Sequence, residues 1–160
     1  MKFKITSEDV NKEMEKTVKK IAQVYYYIYT ATILSTIVGY MSTMNNYDPI
    51  PMNSPLGIAL KSIIILYTII SIPLALAGFH RQTKKWRAIE DERQKFKAYQ
   101  KGATIRLLLV GIGLIASIIV FFLLRTDVSL IYCAGISAIV LLFFCKPTEG
   151  KMINDLKIEE

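Results

Sequence analysis

Apolar residues in this chain gather into four long blocks, covering 21–44, 56–79, 105–124 and 128–145, and most of the charges fall between them. A run of about 18 apolar residues or more, at ~1.5 Å rise per residue, is long enough to cross ~30 Å of hydrocarbon as a helix. A helix on the surface of a soluble protein would instead confine its apolar residues to one stripe. A soluble all-α core can hide one such block, but not four in succession. The pattern predicts an all-α polytopic membrane protein: a single domain over 1–160 with four transmembrane helices in an antiparallel bundle. Amphipathic cytoplasmic helical segments accompany them, with 1–20 before the first span, a basic connection at 80–104 and a tail at 146–160.

Shorter signals refine this outline. Val10, Met14, Val18 and Ile21 recur at helical spacing, so 7–21 should form an amphipathic helix. Thr6 or Ser7 can cap it, and Glu8 and Asp9 suit the positive end of its dipole. It can run straight into the first span, bend at the interface or lie on the membrane surface. Ser54-Pro55 is a cap followed by proline, a good helix start for the second span. Pro73 should kink that span or loosen its hydrogen-bond ladder. In the basic connection Trp86, Ile89, Phe96 and Tyr99 share one side of a helix, and Gly102 is the expected break before the third span. Arg125-Thr126-Asp127 alone joins the third and fourth spans, which forces an antiparallel hairpin, and Asp127 can cap the fourth.

Charge adds an orientation. The 160 residues are 52% hydrophobic and 21% charged, with a net charge of +7. Lysine and arginine crowd the amino-terminal segment, the 80–104 connection with Arg106, and the tail, while only Lys61 and Arg125 fall on the other side. The positive-inside bias therefore places both termini in the cytoplasm, in the inner membrane if the source is bacterial. The first 20 residues hold no apolar stretch, so the first span is expected to act as an uncleaved anchor. Lys84, Lys85, Arg87, Arg93, Lys95 and Lys97 are candidates for contact with anionic headgroups, at about 1 kcal/mol each close to the surface. Membrane lipids are thus the expected partners, together with a homo-oligomer or membrane complex. A nucleic-acid partner is not expected, because any chain obeying the topology rule acquires a basic face.

Candidate chemistry is sparse. No Asp or Glu lies within a predicted span, which weighs against a carboxylate proton relay and against intramembrane aspartyl proteolysis. His80 is the only histidine and cannot alone build a metal cage or a triad. Cys133 and Cys145 would lie ~18 Å apart along one helix, too far to bridge. Gly111-Ile112-Gly113 lacks the strand, third glycine and acidic residue of a dinucleotide site. No catalytic residue, cofactor or metal is expected. Tyr25, Tyr29, Thr32, Thr36 and Gly39 form a polar, small-residue stripe that suits helix packing, with a substrate path as the sharper alternative. Lys61 is the one charge set within an apolar run and shares a helix face with Thr68 and Ser71. It either snorkels to the outer interface or lines a cavity. Gly113-x-x-x-Ser117 and Ala134-x-x-x-Ala138 are small-residue contacts that meet each other or a second copy.

These features suggest a non-enzymatic membrane protein, an oligomerising or accessory scaffold subunit with a basic cytoplasmic docking face. The alternative is a small multi-copy transporter or channel, with a polar path near Lys61, Tyr29, Thr32 and Thr36. The topology has a direct test in a background lacking Cys133 and Cys145. An impermeant thiol reagent added outside should label cysteines placed at Asn45 and Asn53 but not at Lys12 or Lys95. Labelling at Lys95 with Asn45 protected would reverse the orientation.

Overall fold

The structure is a computed structural model that describes residues 7–45, 48–124 and 128–157, with side chains from Asp9 onward. Thr6, the side chains of Ser7 and Glu8, and the Arg125-Thr126-Asp127 turn with its Asp127 cap lie outside the described residues. There are five helices in the described chain: α1 (Ser7–Met44), α2 (Pro55–Trp86), α3 (Glu92–Leu124), α4 (Val128–Phe144) and α5 (Glu149–Leu156).

α1 runs unbroken for 38 residues, so the amphipathic segment continues straight into the first apolar block. Nothing between Ser7 and Val38 is glycine or proline, and no local element interrupts the ladder. α2 opens as its sequence suggests: the Ser54 hydroxyl accepts from the Gly57 amide at 3.0 Å, with Pro55 in the first turn. Pro73 sits on an exposed face inside α2, which stays one helix to Trp86.

One expectation is corrected by the polar segments. Gly102 is not a break: α3 starts at Glu92 and passes through it. An interior glycine costs a helix about 1 kcal/mol relative to alanine, but a Cβ here would overlap the indole of Trp86. The glycine is a seat for that ring. The 80–104 connection is consequently the end of α2, a short link and the start of α3. The tail after the fourth block carries α5. Pro147 stops α4 from continuing, and α5 leaves at 79° to it.

α1, α2 and α3 are each long and apolar enough to cross a membrane, and α4 joins them if its bent continuation is counted with it. α4 alone has 17 residues, or about 25 Å of helix. α3 is the hub: α1, α2 and α4 all pack on it, α2 also touches α4, and α1 touches neither α2 nor α4. Ile28 of α1 fills the space beside Gly111, and Phe122 fills the space beside Gly39, so α1 and α3 run in the same direction. Tyr67 of α2 meets Gly113 and Trp86 meets Gly102, so α2 runs oppositely. α4 also opposes α3, since Ser137 approaches Gly113 while Leu130 packs with Val120 and Leu124.

The larger core cluster occupies the polar end and the middle, with Met14, Ile21, Phe79, Phe96, Leu107 and Met152 among its members. A smaller one, around Ile64, Val120, Leu124 and Leu130, closes the other end. The Ile50 amide ties the α1–α2 connection to the Leu123 carbonyl there at 3.0 Å. Outward-facing residues such as Ile33, Ile37, Leu66 and Ile69 are large, apolar and exposed, as lipid-facing surface would be.

Gly102→Leu should therefore cost about 1–3 kcal/mol by forcing Trp86 out of its seat. Gly135→Leu, at an exposed position with nothing near its missing Cβ, should stay within about 0.5 kcal/mol. Thermal unfolding in detergent compares them, and an equal effect would mean that the Trp86–Gly102 contact contributes nothing.

Candidate functional site

α3 enters its apolar block at Ile105, and the next residue is a buried cation. Arg106 is only 7% exposed, one turn beyond Ala103 and one turn before Val110, both of which are buried. Its guanidinium carbon lies 3.7 Å from the centre of the Phe79 ring. Phe79, Trp86 and Tyr99 pack edge to face around it, with centroids 5.5, 5.6 and 6.1 Å apart. Gly102 admits the indole to this cluster. The Arg106 Nε is buried without a hydrogen-bond partner, and among the described residues the guanidinium forms no ion pair.

α5 closes over this cluster with Met152 and Leu156, both buried. Polar contacts fix its position. The Tyr99 hydroxyl donates to Asp155 Oδ2 at 3.0 Å, and Arg87 Nε donates to the Asp155 carbonyl at 2.7 Å. Lys151 reaches back to the end of α4, donating to the carbonyls of Phe144 at 2.6 Å and Phe143 at 3.2 Å. Those carbonyls are ones a helix end leaves without partners. Burial lowers the Lys151 pKa, the Arg106 charge lowers it further, and Asp155 opposes both. The carboxylate of Asp155 is thus engaged by Tyr99 rather than by Arg106. Beside Arg106 a void of about 10 Å³ is walled by Val18 and Ile21 on one side and Cys145 and Thr148 on the other. Thr148 precedes α5 but its side chain does not cap the helix. The Arg106 Nε, which lacks a partner, belongs to the residue that lines this void together with Lys146 and Thr148.

The residues singled out by the sequence are distributed differently. Thr68 and Ser71 are buried on α2, with Lys61 half-buried on the same helix. Tyr29 is half-buried on α1 with a partnerless hydroxyl. Thr32 and Thr36 donate to the carbonyls one turn back at 2.7 and 2.9 Å, and Thr68 does the same at 2.9 Å. α1 and α2 make no close backbone approach to each other, and each packs on α3 instead. Gly113 and Ser117 are buried within the chain. Gly113 makes room for the Tyr67 ring, whose hydroxyl donates to the Leu109 carbonyl at 2.8 Å. Ala134 and Ala138 pack against the larger core. Lys84, Lys85, Arg93 and Lys97 are exposed and Lys95 half-buried, whereas Arg87 is tied to α5. His80 is exposed, and Cys133 and Cys145 are free and buried. Among the described residues no group of His, Cys, Asp and Glu stands close enough to hold a metal ion.

By its place in the sequence Arg106 belongs with the charges of the connection, whereas Lys61 is the one charge set within an apolar run. The signal that separates Arg106 is its phase. Tyr99, Gly102, Ala103 and Arg106 fall at spacings of three, one and three, on one face of a helix. That register exists only because α3 is continuous through Gly102.

Tyr99→Phe, which removes the bond to Asp155, should cost about 1–2 kcal/mol. Met152→Ala, which empties a fully buried position, should cost about 2–5 kcal/mol. Both should raise hydrogen exchange across 149–156, while Asn154→Ala on the exposed face should not. Comparison of the chain with protein-family models, with curated proteins and with solved structures finds no match.

Proposed function

We propose that this chain is a non-enzymatic integral membrane protein of four spans, with both termini in the cytoplasm, that acts as an assembling scaffold subunit. The observation that carries the reading is the division of the chain into two parts. One part exposes isoleucine, leucine and valine on helices whose threonine and serine hydroxyls bond to their own backbone, as hydrocarbon surroundings require. The other is a polar end with its own aromatic core, fringed by exposed Lys84, Lys85, Lys97 and Lys101. On this reading α4 is the fourth span. Its length of about 25 Å is short for the hydrocarbon layer, and exposed Phe143 and Phe144 stand at its inner end, where aromatic residues favour the interface.

Assembly is read from α1. The Gly113–Ser117 face is occupied inside the chain, so it is not available to a second copy. α1 packs only on α3 and α5. Between α1 and α3 an apolar groove of about 490 Å³ runs past Ser35, Gly39, Ser42, Ile119 and Phe122. Small residues along its edge would let another helix approach closely, which is what joins helices in lipid, where hydrophobic drive is weak.

Mass measured in nanodiscs tests this. The wild type should be larger than one chain, and Ser35→Trp or Ser42→Trp, by filling the groove, should reduce it to a monomer. A monomeric wild type in both nanodiscs and mild detergent would sink the assembly reading.

A further inference from the structure

We propose that Arg106, with Lys146 and Thr148 of the α4–α5 bend, holds an oxygen of a phosphate group, supplied by the headgroup of a membrane lipid. The lipid would reach them through the gap between α1 and the α4–α5 bend. The proposal rests on the membrane placement argued above, and not on the scaffold role.

The argument begins with the cost of burying a cation. An ionised group taken out of water loses several kcal/mol of hydration, which must be offset locally. Stacking on Phe79, with the guanidinium carbon 3.7 Å from the ring centre, offsets part of this loss. A carboxylate would normally supply the rest, yet Asp155 is turned to Tyr99 and the Arg106 Nε bonds to nothing. Thr148 lines the same void, and its side chain does not cap α5. Lys146 borders the same void. Glu149 in the first turn opposes an anion, but it is exposed, while Arg106 is buried.

Depth and access select the source of the anion. Arg106 is the second residue of the apolar block and Lys146 follows the fourth, so both lie at the level of lipid phosphates if these blocks span the membrane. α1 and α4 do not pack on each other, and the void opens between Val18 and Ile21 of α1 and the residues after Cys145. Its roughly 10 Å³ admits one oxygen-sized atom. A whole phosphate would not fit the inner void. A headgroup phosphate that inserts one oxygen, with its glycerol and chains outside, would.

The experiment uses the full-length protein in mild detergent, titrated with dioleoylphosphatidylglycerol, with dioleoylglycerol and with inorganic phosphate, and read by native mass spectrometry. The wild type should retain phosphatidylglycerol and not dioleoylglycerol. Arg106→Gln should weaken retention about tenfold, the loss expected for one charge-assisted contact. Arg81→Gln, at an exposed position, should leave it within about twofold, as a screened surface charge. Val18→Trp, which closes the gap and leaves Arg106 untouched, should also abolish retention and decides the matter if Arg106→Gln does not fold. Wild-type retention in Val18→Trp, or in a folded Arg106→Gln, would overturn the proposal. Displacement of the lipid by millimolar inorganic phosphate would overturn its lipid part and assign the site to a dissolved anion. Whether the protein leaves membranes only with detergent, measured on the same preparation, tests the membrane placement separately.

Discussion

α1, α2 and α4 all make their main contact with α3, and for α1 and α2 that close approach is possible because α3 presents glycine to three of their side chains. Gly102 receives Trp86, Gly111 receives Ile28, and Gly113 receives the Tyr67 ring. A Cβ at any of them would press on the incoming side chain. Inside lipid the exclusion of water does not push apolar helices together, so shape and internal hydrogen bonding must do it. The Tyr67 hydroxyl bond to the Leu109 carbonyl is such a case, since it forms only because Gly113 lets the ring lie against α3. A single hub also explains the uneven burial. α3 buries residues on several faces, while α1, touching only α3 and α5, exposes much of its apolar half.

The polar end is held by different physics. Phe96, Tyr99, Phe79, Trp86, Met14 and Met152 make up a core of the kind found in water-soluble helical proteins, where burial of aromatic area is driven by the solvent. α5 depends on this. With eight residues it is too short to persist as an isolated helix, and it forms because Met152 and Leu156 are buried while Asp155 and Lys151 satisfy groups on α2, α3 and α4. The two regimes meet at one level of the chain, where α3 passes from Tyr99 to Leu107.

What could be read from the sequence was whatever depends on neighbours close in the chain. The apolar blocks, the Ser54-Pro55 start of α2 and the small face of Gly113 and Ser117 are local patterns, and each has its counterpart in the helices. What could not be read depends on partners distant in sequence. Glycine at 102 looks like a stop until Trp86 is known to occupy its missing side chain. The tail around Met152 and Leu156 is too short to announce a helix and needs Phe79 and Tyr99 to bury against. The candidate site failed in the same way. Lys61 stood out because it interrupts an apolar run, whereas Arg106 blended into a basic segment although it is the more deeply buried.

The contrast between those two cations shows what the aromatic cluster contributes. A lysine near a span end can swing its flexible stem toward water, so its position in the chain says little about where its charge resides. Arg106 has a planar head laid on Phe79, with Tyr99 and Trp86 enclosing that ring. A stacked guanidinium keeps its hydrogen-bond donors in the plane of the head, directed away from the face that the ring covers. The cluster therefore does more than bury area: it holds a charge at the boundary between the two regimes in one orientation. α5 then closes above that charge without supplying it a carboxylate, so the helix that completes the core also leaves the cation in want of an acceptor.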